Sequence, residues 1–309
     1  MRKLIVVSSL MLLAIYTQAQ SETTTKTTTT PAGVEKVDLK EALAQKKFQE
    51  NTEITDTKLK AESGSLSTYS LSLNLTYYGP TVGDLSAKDQ PNPDGSPGAF
   101  ETSLGGALGG RYRFSPRSTI TAGSGLKAIH PFHGMEKFET NNPYINYNLS
   151  DRIGDVQMRN SIGFSSITYS GYTKIGEIAS LGYDNSMVYN LGFTPLAIGL
   201  DTSIAYYFYN RGYQSSDGKA SRYTISAYPN AKYNLTDKLN INTSIGFSSF
   251  NLRKLDDQSV LGNRSITQRL GVGYAYTRDV YLSPYLNFYP DNLSPDGTTI
   301  NFSAILSVL

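Results

Sequence analysis

The chain has 309 residues with 28 basic against 26 acidic side chains, a formal charge of +2, 23 Tyr, 27 Gly and no Trp. It contains no Cys, which excludes disulfides, thiolate metal centres and a lipid anchor on an N-terminal cysteine. Only 17% of residues are charged, and where the apolar residues fall must decide the fold class.

Arg2 and Lys3 precede an apolar run from Leu4 to Ile15, and Thr17-Gln-Ala19 follows with small residues at the cleavage positions. This is the pattern of a secretory signal peptide, residues 1–19, cut after Ala19. The run is short for a bilayer span, and no later stretch of ~18 apolar residues exists to form a transmembrane helix. Residues 20–65 read as a periplasmic tether, because the Thr-rich tract from Ser21 to Pro31 is too polar to build a core. Asp38-Leu-Lys-Glu41 has the form of a capping box ahead of Ala42, Leu43, Ala44 and Phe48, which predicts a short helix near 38–50. Such a helix either stays in the tether or enters and plugs a lumen.

Residues 66–309 alternate apolar with small polar side chains over runs of about ten, as lipid-facing and lumen-facing positions do. Twelve strands are predicted. The first carries Tyr69, Leu71, Leu73, Leu75 and Tyr77 outward; the next four are marked by Leu104 to Phe114, Ile120 to Leu126, Ile145 to Leu149 and Val156 to Phe164. Leu181 to Leu191, Ile198 to Phe208, Tyr223 to Leu235 and Leu239 to Phe247 continue the pattern, and three more strands begin near Ile266, Val280 and Thr298. Pro229 and Pro284 fall inside strand patterns and predict local bulges.

The connections alternate in length. Those after strands 2, 4, 6, 8 and 10 are short and follow a Tyr: Tyr112-Arg-Phe-Ser-Pro-Arg117, Tyr147-Asn-Leu-Ser-Asp-Arg152, Tyr189-Asn-Leu-Gly-Phe-Thr194, Tyr233-Asn-Leu-Thr-Asp-Lys238 and Tyr274-Ala-Tyr-Thr-Arg-Asp279. An aromatic at the turn end of every second strand is how a lipid-facing girdle reads in sequence. The other connections, roughly 79–99, 129–142, 169–179, 209–221, 250–264 and 289–297, are longer. The expected fold is all-β: a 12-stranded antiparallel up-and-down transmembrane β-barrel with short periplasmic turns, longer extracellular loops and both termini periplasmic.

On these features residues 66–309 resemble the bacterial outer-membrane β-barrel class. Members commonly end in an aromatic residue read by the barrel-assembly machinery, whereas this chain ends in Val308-Leu309. The resemblance implies an outer-membrane location, lipid contact and assistance from that machinery. Its twelve-stranded members include small-solute channels, a phospholipase and autotransporter translocators, so fold alone does not select a function.

Alternation places Arg111, Arg113, Lys127, Arg159, Arg222, Lys232 and Arg269 inward against Glu101, Asp184 and Asp201. An excess of inward cations favours anions. Tyr207, Tyr228, Tyr281 and Tyr285 also face inward, where their rings offer stacking surfaces for a solute. The reading is a passive channel for small solutes, anions among them. The alternative is a non-conducting barrel that acts structurally or through its loops. Because the basic residues alternate into a lumen, nucleic acid is not an expected partner. His130 and His133 are the only histidines, both on a loop beside Glu136; no catalytic residue, metal ligand or cofactor is assigned.

Overall fold

A computed structural model of the chain describes residues 48–90, 100–192, 194–210, 221–252, 261–263, 266–291 and 293–308. The signal-peptide region and most of the helix expected near 38–50 lie outside the described residues; 48–50 carry no regular structure.

Twelve long strands form, as the alternation predicts. They are β1 (Tyr69–Thr81), β2 (Ser103–Arg113), β3 (Ser118–Ile129), β4 (Lys137–Ile153), β5 (Val156–Ser166) and β6 (Glu177–Asn190). Then come β7 (Leu196–Tyr209), β8 (Ser221–Asn234), β9 (Leu239–Leu252), β10 (Thr267–Thr277), β11 (Val280–Phe288) and β12 (Thr299–Val308). Each pairs antiparallel with its chain neighbour, and β1 pairs with β12 from Leu71↔Val308 to Thr81↔Thr299, so the sheet closes. Closure satisfies every edge, the condition for strands in hydrocarbon. The even strand number brings the start of β1 and the end of β12 to the same end of the barrel.

The barrel is apolar outside and polar within. Leu71 is 50% exposed while its neighbour Ser72 is 3% exposed, and the same inversion runs around the wall. A buried alternate row of hydroxyl and amide side chains, Ser70, Thr121, Asn148 and Ser161 among them, lines the interior. At the turn end Tyr69, Tyr112, Phe114 and Tyr147 form a continuous outer belt, with successive ring centroids 5.3, 6.3 and 6.1 Å apart. Tyr189, Tyr233 and Tyr274 are likewise exposed at their turns.

Three details differ from the sequence reading. The fourth strand begins at Lys137, well before Ile145, and the stretch expected as loop 129–142 is partly strand. A register shift between Gly123 and Gly125 accommodates Asn142, whose φ of 46° is one that Asn tolerates. The Asn142 amide oxygen accepts from the Thr168 and Tyr169 N–H groups, tying this bend to the next loop. That strand also runs on through Arg152, and the hairpin turns at Gly154-Asp155, with Gly154 at φ 59°. Finally, Pro229 and Pro284 sit in ladders of unbroken register opposite Leu200 and Phe302. The wall yields instead at Tyr78/Thr81, Glu177/Ala179, Ser221/Tyr223 and Ala275/Thr277.

Candidate functional site

The polar interior does not stand open along its length. Residues 48–68 enter at the turn end, rise into the lumen, form the helix α1 (Thr57–Ser63) and return to begin β1. A second one-turn helix, α2 (Ser170–Thr173), belongs to the loop after β5. α1 has seven residues, too few to hold together alone in water. It forms because Asp56 caps it, Oδ1 accepting from the Leu59 N–H at 3.0 Å, and because the barrel wall surrounds it. Gly64 ends it at φ 78°, ψ −177°, a backbone region essentially restricted to glycine.

Little of this plug is apolar. Ile54 and Leu59 pack against Val188 and Ala197, and Ala61 against Ala275 and Tyr281. Its remaining contacts are polar and reach most of the wall. Gln157, fully buried, accepts from the N–H groups of Thr55 (2.7 Å) and Asp56 (2.9 Å). Asp56 forms an ion pair with Lys232, and Lys58 with Asp201 at 3.1 Å. Glu62 lies 4.0 Å from Arg159, while Glu53 and Glu50 meet Arg117 (2.6 Å) and Arg278 (3.4 Å) nearer the mouth. Ser65 N–H donates to Ser307 Oγ at 3.0 Å. At the mouth, burial pulls the Glu50 carboxyl upward, but Lys60 and then Arg278 more than offset it and hold it below the ordinary range.

The inward residues named from alternation fall into groups. Arg111 and Arg113 are buried against the plug. Arg113 Nε donates to the Ser65 carbonyl at 2.8 Å, and its other nitrogens reach the carbonyls of Ser63, Gly64 and Pro116. Arg111 donates to Ser72 Oγ (3.0 Å), Thr121 Oγ1 (3.3 Å) and the Glu62 carbonyl (3.4 Å), leaving Nη1 without a hydrogen bond. Arg159 donates to Asn148 Oδ1 at 2.6 Å, and Lys127 to the Tyr169 hydroxyl at 3.2 Å. Lys232, Arg269, Asp201, Tyr228, Tyr281 and Tyr285 border a cavity beside α1. The Tyr207 hydroxyl sits 3.1 Å from Thr224 Oγ1, Arg222 lies on β8 and Asp184 on β6 between Ser161 and Ser203.

Glu101 is exposed and outside the twelve barrel strands, in a two-residue ladder with Asp89. Alternation also overlooks Glu177, which the shift at the start of β6 turns into a buried position. His130 and Glu136 close the base of one loop, Nδ1 to Oε1 at 3.1 Å, and His133 Nε2 is 3.3 Å from the Leu85 carbonyl.

What the sequence reading left out is the plug's part in the charge balance. Seven inward cations against three acids is a surplus that something must meet, and Asp56 and Glu62 come from the plug to meet it. The surplus itself was the available signal.

A closed twelve-stranded sheet with an apolar exterior, an aromatic belt and a polar interior defines an outer-membrane β-barrel. No protein-family model and no curated protein matches the chain. Among solved structures it is similar to an outer membrane channel from Pseudomonas putida F1, at 11% identity over 80% of this chain and 98% of that one, TM-score 0.49. It is also similar to the outer membrane protein Omp33 of Acinetobacter baumannii, at 10% identity over 77% and 97% of the two chains, TM-score 0.36. The outer membrane protein OprD of Pseudomonas aeruginosa matches at 12% identity over 77% and 65%, TM-score 0.36. With likeness this distant, the closed sheet of the chain itself defines the class.

Proposed function

We propose that this barrel is a plugged channel for small polar solutes, anions preferred, that conducts when residues 48–65 leave the lumen. The observation that supports this is the kind of contact the plug makes. The segment buries Ile54, Leu59 and Ala61 and otherwise relies on ion pairs and hydrogen bonds. Water can replace polar contacts one at a time, so such a segment exchanges more readily than a packed core. Once it leaves, its acids leave with it, and Arg111, Arg113, Arg159 and Lys232 remain to face the solute. A ring of basic side chains favours anions. Signal peptide, periplasmic tether and help from the assembly machinery fit this reading, with the plug entering from the periplasmic side.

The test is planar-bilayer recording on the mature protein and on a variant lacking residues 48–63. The intact protein should show rare openings, and the variant steady steps with an anion-selective reversal potential in a salt gradient. A folded, silent deletion variant would defeat the channel reading and favour the non-conducting barrel. Cation selectivity would defeat the anion preference alone.

A further inference from the structure

Beside α1 the lumen holds a cavity of about 380 Å3, within the ~300–1,000 Å3 typical of small-molecule sites. Asp56, Lys58 and Leu59 of the plug form one side, and strands β6 to β12 the others. Its charges are unevenly met. Lys58 pairs with Asp201 and Lys232 with Asp56, but Arg269, the third cation on the cavity, has no carboxylate partner among the described residues. Its Nε is buried without a hydrogen bond. Instead the guanidinium is held by two rings, its Cζ 5.8 Å from the Tyr228 centroid and 5.3 Å from that of Tyr285. Cation–π contacts of this kind favour a cation beside the two rings but give its N–H groups no acceptor. Two parallel N–H donors match the paired oxygens of a carboxylate, as they do those of a phosphate. Asn242, Ser244 and Ser303 supply amide and hydroxyl groups to the same cavity.

We propose that this cavity binds a small carboxylate carrying hydroxyl groups, its carboxylate on Arg269 and its hydroxyls on Asn242, Ser244 and Ser303. The proposal rests on the channel reading for its biological purpose, but binding is measurable with the plug seated. Calorimetric titration of the detergent-solubilised mature protein with sodium gluconate at low ionic strength should show saturable binding. Arg269→Gln should weaken it at least tenfold. Ser244→Asp places a carboxylate directly across the ladder from Arg269, so it occupies the guanidinium without removing it and should weaken binding as much. Glucose, of similar size but uncharged, should bind at least tenfold more weakly than gluconate. No saturable gluconate binding, wild-type affinity in both variants, or glucose binding as tightly as gluconate overturns the proposal. Gluconate binding in a protein whose plug-deleted form is silent would sink the channel and leave the site; conduction without binding would do the reverse.

Discussion

Asp56→Asn isolates the charge that seats the plug. Asn keeps the cap on Leu59 and the backbone donor to Gln157, so α1 and its anchor survive. What it removes is the counter-ion of Lys232, leaving an ammonium buried and unpaired. Breaking one side of a buried pair costs roughly 3–5 kcal/mol. The neighbouring cavity lets water reach Lys232, which argues for the lower end, about 3 kcal/mol, or a shift of ~100-fold in the ratio of seated to withdrawn plug. Bilayer recording would read this as a matching rise in open fraction, and hydrogen exchange of the 54–63 amides would read it without requiring conduction. Asp56→Asn combined with Lys232→Gln removes both charges and should recover most of the loss. Wild-type exchange and opening in the single variant would refute the idea that this pair holds the plug. A double variant as loose as the single one would refute the account of why.

Glu50 makes the seated plug sensitive to acid. Its carboxyl is held below its ordinary 4.5 by Lys60, which travels with the plug, and by Arg278 of the wall; the Arg278 part stabilises the seated plug above that value and fades as pH falls through the lower, seated one. Channel current should therefore rise as pH drops below about 4.5, and Glu50→Gln should remove that part of the response. Gly64→Val should loosen the plug by ~1–3 kcal/mol or more, seen as faster exchange of α1. Its backbone region suits only glycine, and an added Cβ would collide with the Arg111 guanidinium. On the lipid face, Ile204→Arg should destabilise the barrel by about 2–4 kcal/mol in urea refolding into lipid vesicles. Ser203→Arg, pointing into the lumen, should cost clearly less.

The barrel was legible because lipid imposes one rule on every strand: a residue that faces hydrocarbon is apolar or aromatic, and its neighbours are not. That rule is local, so Leu71 and Ser72 reveal it without knowledge of any partner. The plug obeys no such rule. Thr57-Lys-Leu-Lys-Ala-Glu-Ser63 offers two buried apolar residues and no stripe, and the position that would complete a capping box is Leu59. Asp38-Leu-Lys-Glu41 gave the stronger local signal, and it lies outside the described residues. The partners that shape α1 are distant in the chain; Ser65 and Ser307 are 242 residues apart. The inward list fails for a different reason at Glu101, and it omits Glu177, which falls in the expected 169–179 connection. Alternation assumes an unbroken ladder, which ends before Glu101 and slips at Glu177.

The path of the plug has a mechanical consequence. It enters and leaves by the same mouth, where Phe48 N–H donates to the Leu66 carbonyl and the Arg113 N–H to that of Thr68. It is a slip loop, not a thread. A pull on the chain ahead of residue 48 meets the plug's contacts in series, from the rim pairs of Glu50 and Glu53 inward to Gln157 and Lys232, so each break exposes only the next. Pressure from the loop side would load all of them together. The same bonds therefore make a weak latch toward one side of the membrane and a strong one toward the other, and no strand of the wall need part for the loop to come free.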